Sequence, residues 1–417
     1  MRYLNRGIIG GVSFLWGNTE PARSQRISIW EGLLATLFIN WSTGMVMTGY
    51  ALWLGATPAA LAALGALPTV AQFAAPMALL FSGNRKRLSI ALARGGRALF
   101  GLVLVLPVVP EHWRIPGLLL VAALSQFVIA PVNVLWTSWM ADLVPERERG
   151  SYFGFRNALL GLVGTLGNLL AGAVIDLMGK PWGFLLVLGI GVVAGVGATL
   201  LLRLQLEPPA PIPKITPAEF RSPLKDGEFR GFLVFVTAFM GAVAVGSSFV
   251  FPLFLQYARM TFAEVGLWTV IAATVGLFVG PGWGRVADRI GHVQVLIYTS
   301  GIAAVVLPTL WLLGHPGWLG SIWLAAVCDP IAWGGLGTAL TNIALQSAPA
   351  ERRNLYLAWY WMAFAAGGVL GATIGGSLGS LGLGPSPYHL PILASMLLRA
   401  LAVGYLFRAL HKTANRK

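Results

Sequence analysis

Apolar residues along this chain come in runs of about 20, separated by short breaks that carry Lys, Arg, Pro and Gly. A run of that length covers the ~30 Å hydrocarbon core of a bilayer at ~1.5 Å of helix rise per residue. The runs are aliphatic and glycine-rich. An outer-membrane barrel would show alternating segments of about ten residues instead, so the pattern predicts helices. Twelve are expected: 28–54, 57–81, 88–109, 115–140, 152–178, 182–203, 231–257, 263–286, 293–313, 317–345, 355–379 and 387–408. Between the sixth and seventh lies EPPAPIPKITPAEFRSPLKDGEFR, proline-rich and charged, which reads as an aqueous linker. The expected fold is an all-α membrane protein of twelve transmembrane helices in two six-helix bundles. Its parts are an arm (1–27), a first bundle (28–203), a linker (204–230), a second bundle (231–408) and a tail (409–417).

Composition agrees with this pattern. The chain is 56% hydrophobic and 11% charged, too few charges to cover a water-soluble fold of 417 residues. The net charge of +14 is spread over loops and termini, not gathered into a patch for nucleic acid. Counting Lys and Arg in the connections gives 23 on one side of the membrane and 3 on the other. That asymmetry places both termini and the linker in the cytoplasm of a multi-pass protein of the plasma (inner) membrane. The start of the chain has no convincing cleavage site and reads as a cytoplasmic arm. A single cysteine, Cys328, allows neither an internal disulfide nor a thiolate metal cluster.

The two halves repeat. Pro145, Arg149 and Tyr152 after predicted helix 4 recur as Pro349, Arg353 and Tyr356 after predicted helix 10, each 204 residues on. Six-helix repeats of this kind mark secondary transporters, with a substrate site between the halves near the midplane.

Two loops add a resemblance. Gly284-Arg-Val-Ala-Asp288-Arg289-Ile-Gly291-His follows predicted helix 8, and Asp142-Leu-Val-Pro145-Glu-Arg-Glu-Arg149-Gly150 leaves predicted helix 4. Together with the twelve helices and the central linker, they make the chain resemble a major facilitator superfamily transporter, a bacterial-type permease, over almost its whole length. The resemblance implies two pseudo-symmetric bundles and charged cytoplasmic loops that gate the pathway. The physical reading has two versions. Charge pairs across helix ends can hold one of two conformations closed, or they can be a static brace that fixes loop register. The first-half loop, Ser82-Gly83-Asn84-Arg85-Lys86-Arg87, keeps the basic residues but has Leu80 where the aspartate is expected. Asp142 is therefore expected to pair with Arg85 or Arg87, while Asp288 and Arg289 serve the second half with Arg353 nearby.

The resemblance further implies that predicted helices 1, 4, 7 and 10 line a central cavity. Asp329 stands near the middle of predicted helix 10. An acid at that depth costs at least ~2.5–3.5 kcal/mol on insertion scales, so it serves proton exchange or a structural partner. Pro330 beside it is expected to kink the helix. Asn40, Gln126, Asn133 and Asn342 are further candidates for substrate or coupling-ion contact, with interhelical hydrogen bonding as the alternative. Trp333 is the best-placed aromatic for stacking on a substrate; Trp136, Trp139, Trp359, Tyr360 and Trp361 read as interface anchors or stacking residues. Glu31, placed one turn into predicted helix 1, reads as complementing the helix dipole, with a cytoplasmic gate as the other option. Arg94 and Arg97 share a face of predicted helix 3. They and Arg399 are expected to snorkel or pair with an acid, with an anionic substrate as the less bland option. Gly161, Gly164, Gly167 and Gly172 read as close helix packing. A helix-5 Gly-Pro pair, typical of drug–proton antiporters, is absent.

No P-loop, metal-ligand spacing or nucleophile elbow is present, so neither an enzyme, a cofactor nor a metal is expected. The expected function is secondary active transport of a small organic solute by alternating access, coupled to protons through Asp329. The expected partners are that solute, protons and the bilayer, with no nucleic acid, and the expected state is a monomer. The alternatives are uncoupled uniport and a membrane sensor or lipid-handling protein built on a transporter fold.

Overall fold

The computed structural model describes residues 17–75, 84–145, 148–207, 216–347 and 353–414. In chain order the helices are α1 (Glu20–Thr43), α2 (Met45–Trp53), α3 (Pro58–Ala71), α4 (Arg85–Phe100), α5 (Glu111–Leu143), α6 (Arg149–Met178), α7 (Trp182–Arg203), α8 (Pro217–Arg221) and α9 (Gly227–Ser247). After them come α10 (Phe262–Ile290), α11 (His292–Gly301), α12 (Leu307–Leu313), α13 (Gly320–Gln346), α14 (Arg353–Ser380) and α15 (His389–Ala414). Tighter or wider helical turns prolong α4 through Val108 and α9 through Tyr257, and join α11 to α12. The only β-type pairing among the described residues is an isolated bridge between His315 and Trp318.

Eleven helical segments among the described residues are long and apolar enough to cross a membrane. The remaining expected crossing is the first, α1 with α2. It begins eight residues earlier than its apolar run, because Thr19 caps α1 by accepting from the Ala22 N–H and Glu20 favours the first turn. It is interrupted at Gly44, where a Cβ would lie 2.7 Å from the Asn40 carbonyl oxygen. The all-α architecture is the one observed, its eleven qualifying segments close to the twelve crossings expected, with a first helix more polar and less regular than its neighbours.

Local chemistry sets the other boundaries. Thr261 and Glu264 form a reciprocal capping box that starts α10, and Thr216 with Glu219 does the same for the short linker helix α8. α10 runs on through Ile290 and stops at Gly291, whose φ of 90° is open to glycine at little cost. Asp288 and Arg289 therefore ride on the end of the same helix as Gly284, not in the loop expected from 287 onward. α13 continues as helix on both sides of Pro330.

By internal contacts the chain forms two compact units, Met1–Tyr50 with Ala71–Lys214, and Ala51–Val70 with Ile215–Lys417. In the first, α1 packs on α7 and α6, and α4 packs on α5 and α7. Tyr50, in α2, ties this unit together by donating to the Val103 carbonyl at 2.7 Å. In the second, α9 packs on α14 and α15, and α13 packs on α10 and α11. α9 and α14 meet through glycines: a Cβ on Gly371 would sit 1.9 Å from the Gly241 carbonyl oxygen, and one on Gly367 2.3 Å from that of Thr237. Backbones this close leave no room for side chains, which is the packing expected of small residues in lipid. Most of α3 belongs to the second unit for the same reason. Gly376 faces Ala59 and Ala62, Gly379 faces Pro58, and Gly65 faces Ser248.

Candidate functional sites

Three charged sites organise the described residues. The first lies where α4 begins and α5 ends. Asn84 caps α4 by accepting from the Arg87 N–H, and this fixes Arg85 on the inner side of the first turn. Arg85, 5% exposed, donates to the Asp142 carboxylate at 2.7 Å and to Ser138 Oγ at 2.9 Å, with Glu207 4.0 Å away. The structure thus brings together Asp142 and Arg85, while Arg87 is exposed. Lys86 donates to the Gln205 carbonyl at 2.6 Å, and its backbone N–H to Glu207 at 3.1 Å. Trp139 donates to the Leu206 carbonyl, and Leu206 donates to Ser24 Oγ. These bonds fasten the stretch after α7 to α1, α4 and α5.

The second site was not expected. Glu31 is 4% exposed, and with α1 starting at Glu20 it lies about 16 Å along the helix, not one turn in. Its carboxylate sits between two arginines, 3.7 Å from Arg97 of α4 and 3.6 Å from Arg156 of α6. Arg97 also donates to the Gly195 carbonyl of α7 at 2.9 Å and stands 5.9 Å from the Phe38 ring centre. The Arg156 guanidinium lies 4.4 Å from the centre of the Trp136 ring, and its Nε donates to the Ser28 carbonyl at 3.4 Å. Gly32 leaves room for the Arg156 side chain, whose Nη2 a Cβ there would meet. Arg94 is exposed, so it and Arg97 do not share an environment as expected. The dipole reading of Glu31 is replaced by a buried ion triad, and Arg156, near the start of α6, is a core residue. Two arginines face one acid.

The third site is Asp329 on α13. The carboxylate is half-buried, and the Trp333 side chain one turn on and the Arg399 guanidinium both act on it electrostatically. Arg399, 1% exposed, donates to the carbonyls of Ala303 at 2.8 Å and Val243 at 3.3 Å, joining α15 to α9 and to the irregular turn after α11. Trp283 of α10 donates to the Ile331 carbonyl just past Pro330. Trp333, expected to stack on a substrate, neighbours the acid.

The remaining candidates are dispersed. Asn342 donates to the Thr338 carbonyl in its own helix at 2.9 Å. Asn40 lies against α6, where a Cβ on Gly164 would approach its Nδ2 to 2.5 Å. Gln126 is half-buried and Asn133 exposed on α5. Among the aromatics, Trp139 is fully buried and Trp359 donates to the Phe220 carbonyl of α8 at 2.7 Å. Arg289 is exposed at the end of α10. The side chains of Asp288, Arg149 and Arg353 lie outside the described residues, as does Leu80, so the second-half pairing expected of Asp288 is not seen.

Known proteins place this architecture. The stretches shared with two curated relatives are short. YyaJ of Bacillus subtilis (strain 168) is 33% identical over 97 residues, 23% of this chain and 21% of that protein. The MFS-type transporter gkaD of Penicillium citrinum is 38% identical over 74 residues, 18% of this chain and 13% of that protein. The crystal structure of the nucleoside transporter NupG superposes with a TM-score of 0.70 at 14% identity, covering 92% of this chain and 98% of that one, a likeness of fold. The family model described as Major Facilitator Superfamily matches residues 29–372. With that match over most of its length and a helical, multi-pass fold to go with it, the chain belongs to the Major Facilitator Superfamily, a family of transporters and not of enzymes.

Proposed function

We propose that the chain moves a small organic solute across the plasma membrane by alternating access, with transport coupled to protons at Asp329. Membership of a transporter family and the repeat of its two halves support solute movement. The observation that carries the coupling is the placing of Asp329. It is an ionisable group about a third of the way along a membrane-spanning helix, neither fully buried nor exposed, with Trp333 and Arg399 as its polar neighbours. A carboxylate so deep in a bundle is costly unless it has a use, and a side chain that is partly accessible can take up and release a proton. The Arg85–Asp142 pair ties the start of α4 to the end of α5 at 2.7 Å and is our candidate for a contact that opens and closes during the cycle. The distribution of Lys and Arg supports termini and linker in the cytoplasm.

A second reading rests on Arg399. Its reach to Asp329 favours a permanent structural charge pair, and with it uncoupled uniport. Purified protein in proteoliposomes, assayed with and without an imposed pH gradient, separates the two. Coupled transport requires gradient-driven accumulation that Asp329→Asn abolishes while downhill exchange survives. Accumulation that persists in Asp329→Asn refutes the coupling role, and downhill flux indifferent to the gradient supports uniport.

A further inference from the structure

The triad in the first unit carries a charge imbalance. Arg97 and Arg156 together bring two positive charges to a site where, among the described residues, Glu31 is the only acid within ion-pair range. All three are more than nine-tenths buried. The two contacts at 3.6 and 3.7 Å, one to each carboxylate oxygen of Glu31, are long beside the Arg85–Asp142 pair at 2.7 Å. Donors are also in surplus. Among the described residues, Arg97 Nε and the Trp136 indole N–H are buried without a hydrogen-bond partner, and the Trp136 ring lies against Arg156. Gly32 keeps the space over α1 clear for the Arg156 guanidinium. Spare N–H donors and an uncompensated cation, at membrane depth, form a site that calls for an anion.

We propose that the Glu31–Arg97–Arg156 cluster, with Trp136, is the seat for the anionic group of the transported solute, so that the substrate is a small carboxylate or phosphate. This names the substrate class and rests on the transport reading above. Glu31 acts as the built-in acceptor that occupies the arginines when no substrate is bound, and the substrate's anionic group takes its place. Arginine suits this role, since its planar fork matches a carboxylate or phosphate with two parallel donors. Arg94, exposed on the same helix, has no part in it.

The test is thermal unfolding of the full chain in detergent with succinate, lactate, benzoate and inorganic phosphate. Each carboxylate is paired with its amide, and sodium chloride is added to equal ionic strength. At least one of the anions is expected to raise the melting temperature when its amide or chloride does not. Arg97→Gln and Arg156→Gln each weaken that binding tenfold or more, and Arg94→Gln leaves it intact. Glu31→Gln removes the internal competitor, so it binds the same anion at least as tightly and regains stability on adding it, a rescue that a merely structural triad would not give. Equal protection by acid and amide, equal protection by chloride, or anion binding unchanged in Arg156→Gln overturns the proposal. Flux of the protecting anion in proteoliposomes is read separately. Binding without flux sinks the transport reading and leaves the site, whereas flux of uncharged solutes with no anion protection sinks the site and leaves transport.

Discussion

Removing Glu31 should harm the protein more than removing one of its arginines, and the structure sets the scale. Glu31→Gln keeps the shape of the side chain and deletes its charge. At 3.7 and 3.6 Å, and with an effective dielectric constant of about 20, each attraction lost is about 4.5 kcal/mol. The desolvation of the carboxylate is recovered, so the net loss is nearer the roughly 3–5 kcal/mol seen when one partner of a buried pair is removed. Two arginines are then left facing each other with no acid between them. Arg156→Gln leaves a different site, in which Glu31 and Arg97 still form a balanced pair. Its losses are one long ion contact and the stacking on Trp136, a cation–π interaction of about 0.5–2 kcal/mol. Melting temperatures of the purified variants, followed by intrinsic fluorescence in one detergent, should fall in the order wild type, Arg156→Gln, Glu31→Gln. If Arg156→Gln is the less stable variant, surplus positive charge is not what governs this site. The reasoning from charge balance would then be refuted.

Other consequences are simpler to measure. Asp142→Asn should cost only about 1 kcal/mol of stability, since the acid is partly exposed, but it should change turnover in liposome flux assays. The exchange Arg85→Asp with Asp142→Arg should restore turnover if the pair acts as a unit. Gly371→Ala should lower the melting temperature sharply and reduce the yield of monodisperse protein in size-exclusion chromatography. Its Cβ meets the Gly241 carbonyl, and overpacking of this kind costs about 1–3 kcal/mol or more. Gly95→Ala, with nothing within 4 Å of the added carbon, should be silent in the same measurement. Trp359→Phe removes the bond to the Phe220 carbonyl and should make α8 markedly more sensitive to limited proteolysis.

The helical spans were legible in the sequence because a bilayer imposes its own thickness on apolar runs and admits no unpaired backbone. The Asp142–Arg85 contact was legible too, since the acid missing from the loop before α4 reappeared at the end of α5. Glu31, Arg97 and Arg156 were each visible as charges but not as a cluster. They stand on three helices, the nearest two 59 residues apart in sequence, and a single sequence carries no record of which faces meet. Two local readings hid them further. Hydropathy places the start of the first helix at 28, yet its cap is Thr19, and this moved Glu31 from the edge to the interior. Arg156 lies close enough to a basic connection to be counted with it. Arg94 and Arg97, three residues apart, are about 60° apart around a helix, enough to put one in the open and the other in the core.

The grouping of α3 bears on how this protein can be taken apart. Ala51–Val70 packs with the half that follows the linker although it is encoded in the half that precedes it. Cleaving the gene at the linker would therefore not yield two self-sufficient pieces. The first fragment would carry a helix whose glycine and alanine face has lost its partners, and the second would display an empty groove along α14 at Gly376 and Gly379. Co-expressed, such fragments would have a built-in docking element with which to find each other, a natural basis for a split-protein reporter of assembly in the membrane.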